Sequence, residues 1–541
     1  ALTPVYPTTA GLPQTALQKH IQQALAGLTL DDTLPSAMLR RLQLPDFASS
    51  VQRLHNPPPG LDETALTAHL RPAWRRIKFD ELLAQQLSMR VHYNKRRSRN
   101  APPLAAHDRL APQLLQRLPF QLTAAQQKVL AEIRHDLQQP HPMQRLLQGD
   151  VGSGKTIVAA LAALQAIENG YQAAFMAPTE ILAEQHYLKL HEWLTPLGIE
   201  PVWLSGSLKK KDKNTATARI AAGDTPLAVG THALFQKEVE FAKLGLVIVD
   251  EQHKFGVQQR LALRSKGGEP HQLMMSATPI PRTLAMSYYA DLDVSVIDAL
   301  PPGRTPIVTK LVSDTRREEV FERVRHACLQ GRQAYWVCPL IDESEALQLQ
   351  TALETHATLT QTFPELMVGL VHGKLANDEK AATMAAFKAG ALHLLVATTV
   401  IEVGVDVPNA SLMVIEHAER FGLAQLHQLR GRVGRGAVAS ACVLLYTPPL
   451  SDTGKARLKA MAETTDGFEI ARRDLEIRGP GEFMGARQSG DALLRFADLQ
   501  ADGALLQHAR ATAPRLLREH PQAAAAHVLR WLAGRAEFLK A

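Results

Sequence analysis

The chain has 541 residues, of which 45% are hydrophobic and 21% are charged, a balance that supports ordinary packed cores and excludes a globally disordered protein. The 60 Lys and Arg residues against 53 Asp and Glu residues give a formal net charge of +7, which is compatible with a polyanionic partner but does not require one. Three cysteines without a C-x-x-C pair argue against a disulfide framework and a cysteine zinc site, and no stretch approaches the roughly 18 apolar residues of a membrane helix, so we expect a cytoplasmic protein without membrane contact.

The N-terminal part of the sequence has helical character. Apolar residues at helical spacing predict a helix over residues 17–28, and a second helical stretch runs from about residue 79 into the basic run at 95–97. That run is interpreted as a solvated helix end, with contact to nucleic acid as the alternative. Both segments belong to a predicted helical and linker region over residues 1–105.

The texture of the sequence changes at about residue 120, where short apolar runs begin to alternate with amphipathic segments. This is the pattern of parallel strands joined by crossover helices. A Pro-Pro-Gly linker at 301–303 separates two such series, which predicts α/β domains over 106–303 and 304–450, followed by a mainly helical region over 451–541. The runs that predict strands are 146–147, 173–176, 227–229, 244–249, 273–275, 334–338, 367–371, 394–397, 412–415 and 442–446.

Residues 149–156 read GDVGSGKT and fit the phosphate-loop pattern G-x-x-x-x-G-K-[ST]. They follow an apolar run and open a helical segment over 157–167, which is the context that the pattern requires. Glycines let the backbone wrap closely round a phosphate, the Lys155 ammonium suits the β- and γ-phosphates, and the Thr156 hydroxyl suits Mg²⁺. The candidate residues of this loop are Gly149, Gly152, Ser153, Gly154, Lys155 and Thr156.

The second half of a nucleotide site is expected at the end of another strand. Asp250 and Glu251 directly follow the apolar run at 244–249; Asp250 suits the Mg²⁺ shell, and Glu251 suits activation of the attacking water. Gln126 precedes the phosphate loop and is a candidate to read adenine with its amide, which favours ATP over GTP. A lone glutamine in such a place is more often an ordinary helix residue.

Four motifs stand in a specific order: GDVGSGKT, then DEQH at 250–253, then Ser-Ala-Thr at 276–278, then QLRGRVGR at 428–435. This series resembles the superfamily 2 helicases and translocases. The resemblance implies two tandem RecA-like domains with parallel sheets and with ATP in the cleft between them. It further implies that the second domain brings Gln428, Arg432 and Arg435 to the nucleotide, where an arginine against the γ-phosphate contributes roughly 10³–10⁵ in rate.

The same resemblance assigns roles to the loops that follow other strands. In the family these loops grip the phosphodiester backbone through hydroxyl and main-chain N–H groups, or couple the ATP site to the nucleic-acid path. For any single threonine, a structural cap at a strand end is the alternative. The candidate residues for contact or coupling are Thr179, Thr231, His253, Ser276, Thr278, Thr398 and Thr399.

Residues 452–490 narrow the choice within the superfamily. This segment resembles the helical hairpin and loop shared by the RecG family and by the transcription-repair coupling translocase Mfd, in which it links closure of the motor to movement along double-stranded DNA. The hairpin is expected over 452–477 and the loop over 478–490, with a simple helical cap on the second domain as the alternative. The candidate coupling residues are Arg478, Arg487 and Gln488.

Both ends of the chain favour the RecG family over Mfd. Residues 2–9 and 76–83 resemble the segments that precede the RecG motor, and the stretch to residue 541 also fits. Members of that family carry an N-terminal OB-fold wedge that splits branched DNA, and no strand-rich module precedes Leu2. The resemblance therefore implies a motor of RecG type without its wedge, for which junction specificity and strand separation stay open.

The resemblance implies an ATP- and Mg²⁺-dependent translocase on double-stranded DNA that branch-migrates Holliday junctions and remodels stalled forks in recombination and repair. A monomeric motor at the bacterial nucleoid is expected with it. Two main alternatives stay open, besides a more distant one, a protein-translocating motor of related architecture, which gives no reason for the segment 452–490. One is an Mfd-like motor acting on stalled RNA polymerase, for which the N-terminus offers no polymerase-binding module. The other is a nucleotide-gated platform that holds branched DNA without processive movement, against which Glu251, Arg432 and Arg435 argue.

Overall fold

A computed structural model describes residues 5–6, 13–58, 62–236, 238–250, 269–277, 292–299, 307–338, 345–398, 407–436, 438–478, 494–498 and 501–532. The described residues form two compact units. The terminal unit combines the N-terminal part up to residue 96 with the C-terminal part from residue 494, and the central unit holds the described residues between them. Within these ranges, no helix is both long and apolar enough to cross a membrane.

The terminal unit begins with four helices, of which the fourth is 35 residues long. Asp46 starts the third helix by accepting a hydrogen bond from the Ser49 N–H at 2.8 Å, an ordinary N-cap. The long helix is buried in its middle, where Phe79, Leu82 and Leu83 have no exposed surface. These helices are α1 (Gln14–Gly27), α2 (Ser36–Leu42), α3 (Phe47–His55) and α4 (Glu63–Arg97).

The first domain of the central unit alternates strands and helices along the chain. Its seven strands are all parallel and lie in the order β3-β4-β2-β5-β6-β1-β7. The elements are α5 (Leu110–Arg117), α6 (Ala124–Leu137), β1 (Gln144–Gly149), α7 (Lys155–Glu168), β2 (Gln172–Met176), α8 (Glu180–Leu194), β3 (Val202–Leu204), α9 (Lys210–Ala222), β4 (Leu227–Gly230), β5 (Leu244–Val249), β6 (His271–Ser276) and β7 (Asp293–Ile297).

Continuous apolar runs make the inner strands of this sheet. Every residue of β2, β4, β5 and β6 is buried, as expected for parallel strands that are covered on both faces. Helix α7 is buried over all of residues 157–166 and therefore belongs to the core instead of presenting one wet face. Because all strands run the same way, the loops after β1, β2, β4, β5 and β6 all lie at the carboxyl end of the sheet.

The second domain repeats the design with six parallel strands in the order β10-β11-β9-β12-β13-β8. Neighbouring residues of β9 point to opposite faces: Tyr335 packs in one apolar cluster and Trp336 in the other. The elements are β8 (Ile307–Ser313), α10 (Arg317–Leu329), β9 (Gln333–Val337), α11 (Glu345–Thr362), β10 (Val368–Val371), α12 (Asn377–Lys388), β11 (Leu394–Ala397), β12 (Ala410–Ile415), α13 (Leu423–Arg430) and β13 (Ser440–Tyr446).

A helical hairpin follows the second domain, as the sequence predicts for residues 452–477. It consists of α14 (Asp452–Glu463) and α15 (Gly467–Arg478). Ser451 caps α14 by accepting a hydrogen bond from the Gly454 N–H at 3.0 Å. Leu458, Met461 and Ile470 pack in one of the apolar clusters of the second domain, so the hairpin shares the core of that domain.

The C-terminal helices α16 (Gly503–Glu519) and α17 (Pro521–Leu532) belong to the terminal unit. The segment that precedes them is held by one carboxylate of α4. Glu81 accepts hydrogen bonds from the backbone N–H groups of Arg495, Phe496 and Ala497. Three backbone donors on one buried carboxylate fix the path of this segment along the long helix.

The two parallel sheets confirm the predicted α/β class. The strands that the sequence did not predict are β3, β7 and β8, and all three lie at a sheet edge. A half-covered edge strand needs no continuous apolar run, so it carries a weak signal. The linker at 301–303 lies outside the described residues, and the domain boundaries proposed from the sequence stay predictions.

Candidate nucleotide-binding site

The loop between β1 and α7 depends on its glycines. Gly152 and Gly154 have φ values of 75° and 88°, in the left-handed region that other residues rarely adopt. A Cβ atom on Gly154 would collide with the Gln126 amide, and one on Gly149 would collide with the Ser153 hydroxyl. Larger residues at these positions would push the loop apart, so the sequence GDVGSGKT folds into a tight turn whose backbone can approach a ligand closely.

Gln126 braces this loop from α6. Its Oε1 accepts a hydrogen bond from the Thr123 N–H at 2.9 Å, and Thr123 in turn caps the helix. Its Nε2 donates to the Ser153 carbonyl at 2.8 Å, and only 2% of the residue is exposed. Both ends of the amide therefore bond to the chain itself in this structure, and adenine recognition by Gln126 stays a prediction.

The phosphate loop has the donors that an anion requires. Lys155 Nζ donates to the carbonyls of Gly149 at 2.7 Å and Asp150 at 3.1 Å, which hold the ammonium over the loop. The hydroxyl of Ser153 is buried and has no hydrogen-bond partner among the described residues. Thr156 follows at the start of α7, where it is partly exposed. An ammonium, an unsatisfied hydroxyl and a helix N-terminus fit the phosphates of a nucleotide.

Asp250 directly follows β5, at the same carboxyl end of the sheet as the phosphate loop. One strand, β6, lies between β5 and β1. Its N–H donates to the Met176 carbonyl at 2.8 Å, which fixes the backbone. Its Oδ2 lies 2.7 Å from Nε2 of His186, a buried residue of α8. His186 thus holds the carboxylate in place, a contact across 64 residues that no motif announces.

The C-terminal turn of α13 and the residues directly after it pack on the phosphate loop. His427 Nε2 lies 2.7 Å from Asp150 Oδ1, and a Cβ atom on Gly431 would lie 3.2 Å from Cβ of Val151. Burial alone raises the pKa of Asp150, but hydrogen bonds from His427 and the Val151 N–H hold it below its usual range. The second domain therefore meets the nucleotide loop of the first through α13.

The predicted arginines belong to this same segment. Arg432 is 9% exposed, and Arg435 Nε donates to the Gly431 carbonyl at 3.3 Å. Both charges act on Tyr335: burial raises the pKa of that phenol to about 12, and the two guanidiniums oppose the rise. Gln428 lies on the last turn of α13 and is partly exposed. Gln428, Arg432 and Arg435 are thus chain neighbours of His427 and Gly431, and their contact with the nucleotide stays a prediction.

Four of the predicted contact residues fall in the described part of the chain, and all four lie at the carboxyl ends of strands. Thr179 caps α8 by accepting from the Leu182 N–H at 3.4 Å, and Thr231 accepts from the Ala233 N–H at 3.5 Å. These are the structural caps that were the alternative for each threonine, although a hydroxyl that accepts one bond can still donate another. Ser276 and Thr398 are buried at the ends of β6 and β11.

Comparisons with known proteins agree over most of the chain. The family model of the DEAD/DEAH box helicases matches residues 123–287, that of the helicase conserved C-terminal domain matches 319–437, and that of the C-terminal part of domain 3 of the ATP-dependent DNA helicase RecG matches 464–532. The ATP-dependent DNA helicase RecG of Escherichia coli O157:H7 is 57% identical over 510 residues, which cover 93% of this chain and 73% of that protein.

The chain belongs to the RecG family of ATP-dependent DNA helicases. RecG of Acidithiobacillus ferridurans is 53% identical over 99% of this chain and 78% of its own length. A solved structure of RecG bound to a three-way DNA junction has a TM-score of 0.71 and 40% identity, and covers 93% of this chain; this chain spans 66% of that protein. These relatives confirm the predicted family, and the Mfd-like alternative is not favoured.

Several RecG-type residues predicted from the sequence lie outside the described part of the chain. Their roles stay predictions. They are Glu251, His253, Thr278, Thr399, Arg487 and Gln488, together with the side chain of Arg478, whose backbone ends α15.

Sequence reasoning missed three residues that hold the candidate site in place through hydrogen bonds to other parts of the chain, Asp150, His186 and His427. Asp150 stands at a variable position of the phosphate-loop pattern, and each histidine looks like an ordinary residue of an amphipathic helix. Their roles depend on contacts between distant parts of the chain, since Asp150 and His427 are 277 residues apart. Of the two histidines, only His427 stands beside a motif, because it directly precedes QLRGRVGR at 428–435. That position is the one signal in the sequence that could have indicated a role for it.

Proposed function

We propose that the chain uses ATP hydrolysis to move along double-stranded DNA and to remodel branched DNA, including stalled forks and Holliday junctions, in the bacterial cytoplasm. The observation that carries this proposal is the contact of His427 and Gly431 with the phosphate loop, in a chain of the RecG family. When two domains meet at one nucleotide loop, hydrolysis can change the relation between them. Repetition of that change is what movement along a track requires.

Within this proposal the phosphate loop binds the β- and γ-phosphates of ATP. The backbone N–H groups around Gly152 and Gly154 and the Lys155 ammonium supply the positive field. Arg432 and Arg435 come from the other domain and stabilise the charge that develops during transfer. Because the arginines and the lysine belong to different domains, efficient hydrolysis depends on the domains being closed over the nucleotide.

Thr156 and Asp250 are the proposed ligands of Mg²⁺, through one hydroxyl and one carboxylate oxygen. Oxygen ligands of this kind suit Mg²⁺, which when bound neutralises the charge of the phosphates. His186 supports the site by holding Oδ2 of Asp250 at 2.7 Å. Glu251 is proposed to orient and deprotonate the attacking water, since it follows Asp250 directly at the end of β5.

The DNA backbone is proposed to lie across the carboxyl ends of β2, β4 and β3, which are neighbours in the sheet. Thr179 follows β2 and Thr231 follows β4. A basic turn at residues 209–211, three exposed lysines at the start of α9, follows β3. The Ser207 N–H just before this turn donates to Glu180 at 3.0 Å, which ties it to the loop after β2. Hydroxyls and lysines in one row suit phosphate contacts that ignore base sequence.

The direct test is the ATPase rate without DNA and with single-stranded, duplex and four-way-junction DNA, beside a Glu251→Gln control. We expect strong stimulation by duplex or junction DNA and its loss in the control. Hydrolysis that responds to no DNA would contradict the proposed track. Stimulation that survives in Glu251→Gln would contradict the role given to that carboxylate, while leaving the track intact.

A further inference from the structure

Three polar side chains link the phosphate loop to the turn of the helical hairpin. They are Asp150 of the loop and His427 and Arg430 of α13, and Arg430 bonds to the turn between α14 and α15. We propose that this hydrogen-bonded chain, here called the Asp150–His427–Arg430 relay, positions the phosphate loop against the second domain and transmits its position to the hairpin. The proposal rests on the proposed function, because it gives one path from the nucleotide to the part of the chain that follows the motor domains.

The loop end of the relay is well defined. Asp150 Oδ1 accepts hydrogen bonds from His427 Nε2 and from the Val151 N–H, each at 2.7 Å. The imidazole of His427 is nearly enclosed, with 6% of the residue exposed. A charge-assisted bond in such a place is stronger than one at the surface, because water competes little for it. A shift of the phosphate loop therefore has to move the His427 ring or break this bond.

The hairpin end is tighter still. Arg430 is 2% exposed, and its guanidinium donates to the carbonyls of Met461 at 2.8 Å and Thr464 at 2.9 Å, to the Thr309 hydroxyl at 3.1 Å and to His427 Nδ1 at 3.0 Å. Met461 lies in the last turn of α14 and packs in the core of the second domain. The guanidinium therefore fastens the hairpin turn to α13, and through α13 to the loop.

The hydrogen bonds of the relay all run in one direction, from Arg430 as donor through His427 to Asp150 as acceptor. An arginine only donates, so His427 Nδ1 accepts and carries no proton. The ring proton is then on Nε2, which donates to the Asp150 carboxylate. The His427 ring thus lies between the guanidinium of Arg430 and the carboxylate of Asp150. Each group has one role that its neighbour fixes, which is how a histidine tautomer is normally held in a working site.

Electrostatics make the two ends depend on each other. No carboxylate among the described residues forms an ion pair with Arg430, and burial lowers the pKa of its guanidinium, opposed first by the nearby Cys442 and then by the charge of Asp150. A buried cation without a direct counter-ion is unfavourable, so it is stabilised by whatever negative charge stays near. When the phosphate loop moves, Asp150 moves with it, and the environment of Arg430 at the hairpin changes.

The relay is tested with variants that remove or retain its bonds. His427→Phe retains a ring and loses both bonds; His427→Gln retains an amide donor and acceptor; Asp150→Ala removes the carboxylate. Gln425→Ala is the matched control, because Gln425 lies on α13 and caps its start by accepting from the Gly422 N–H at 3.2 Å, away from the loop. The readouts are the kcat and KM of DNA-stimulated ATP hydrolysis, nucleotide affinity without DNA, and junctions branch-migrated per ATP hydrolysed.

We expect His427→Phe and Asp150→Ala each to lower the DNA-stimulated kcat by about tenfold or more, with nucleotide affinity within about threefold of the parent. Junctions migrated per ATP should fall by about threefold or more in both, and His427→Gln should recover most of each loss. The double variant His427→Phe with Asp150→Ala should lose clearly less than the product of the two single losses, because both changes break the same bond between Asp150 and His427. Gln425→Ala should stay within about twofold of the parent.

Two results would overturn the relay. One is a double variant whose loss equals the product of the single losses, which would mean that the residues act separately. The other is an unchanged number of junctions per ATP in His427→Phe, which would mean that nothing passes from the loop to the hairpin. Failure of the proposed function would look different, because the parent protein itself would then show no stimulation by DNA.

Discussion

Among the residues that the structure describes, Arg76 and Arg430 are the two arginines with 2% or less of their surface exposed, and they are paired in opposite ways. Arg76 in the terminal unit has no exposed surface and bonds to Asp32 and Asp80, each at 2.7 Å. Arg430 in the central unit bonds only to carbonyls, a hydroxyl and an imidazole. The first charge is neutralised where it lies. The second depends on Asp150, on the far side of a histidine ring.

This difference separates a structural contact from a coupling contact. Burial alone lowers the pKa of Arg76, but its two carboxylates more than reverse this and raise it. The group is complete within its own unit, where it joins α4 to the segment before α2. The charge of Arg430 is balanced by Asp150 only while the phosphate loop stays in place. A buried charge with counter-ions in its own unit stabilises one fixed structure. The stability of a buried charge whose counter-ion can move depends on where that counter-ion lies.

The largest expected effect comes from breaking the first pairing. Arg76→Met leaves Asp32 and Asp80 without their cation, and a buried carboxylate without a partner costs about 3–5 kcal/mol. We expect the free energy of unfolding of the terminal unit to fall by about that amount in denaturant titrations. Arg71→Met, on the exposed part of the same helix, is the control and should change stability by less than about 0.5 kcal/mol. Equal losses would mean that the ion pairs contribute nothing.

Breaking the second pairing should have the opposite balance. Arg430→Met leaves no buried carboxylate in direct contact, but removes donors from the carbonyls of Met461 and Thr464, for an expected loss of about 1–3 kcal/mol in stability. DNA-stimulated kcat should fall by about tenfold or more in the same variant. If Arg430→Met loses as much stability as Arg76→Met while its ATPase rate is unchanged, both arginines are structural residues and Arg430 has no role in coupling.

The terminal unit also predicts a dependence on pH through His527. Its Nε2 donates to the Asp80 carbonyl at 2.9 Å, its Nδ1 lies 2.6 Å from the Thr33 hydroxyl, and burial lowers its pKa to about 4. Between about pH 6.5 and 4 the unfolded chain binds a proton here that the folded chain does not, so this unit loses stability as pH falls. From pH 7 to pH 5 the loss attributable to this residue is about 2 kcal/mol.

His527→Gln measures that contribution. The variant has no imidazole to protonate, so the drop in unfolding free energy between pH 7 and pH 5 should be about 2 kcal/mol smaller than in the parent. Burial raises the pKa of Asp80 to about 6, which acts in the opposite direction, but Asp80 is present in both proteins and cancels in the difference. Identical pH profiles would show that His527 titrates alike in the folded and unfolded chains.

The smallest expected effect concerns an exposed lysine at the surface, Lys210. Lys210→Gln in the basic turn should weaken duplex binding modestly and reduce the slope of log affinity against log salt by about 0.9. Lys388→Gln, an exposed lysine of α12 in the second domain, is the control and should leave the slope unchanged. Titration of a blunt duplex between about 50 and 200 mM salt measures both. An unchanged slope in Lys210→Gln would remove the basic turn from the DNA path.

Local patterns were enough to predict much of this fold. Inner strands such as residues 244–249 are continuous apolar runs, and the phosphate loop needs glycines at fixed spacing, so both are visible in the sequence. Edge strands such as β7 were missed because half their surface faces away from the core. The hairpin at 452–477 came from family resemblance, since helical periodicity alone does not say where a helix packs.

The site was predictable only where its chemistry has a local motif. Lys155 and Asp250 follow recognisable strands, but the pairing of His427 with Asp150 and of His186 with Asp250 arises only when distant segments fold together. A polar residue on an amphipathic helix has the same local pattern whether it faces water or a carboxylate. The same holds for Arg430, which reads as one more basic residue in QLRGRVGR until its carbonyl partners are seen.

Movement on duplex DNA is the central claim, and displacement of a third strand from a DNA triplex measures it most directly. The substrate is a duplex with a free arm where the protein can bind and a third strand bound further along. With ATP, the protein should move along the duplex and displace the third strand. Glu251→Gln, and the parent with a non-hydrolysable ATP analogue, should leave the triplex intact. Rapid DNA-stimulated hydrolysis by the parent without any displacement would contradict the account, because it would describe an ATPase that binds duplex DNA but does not move along it.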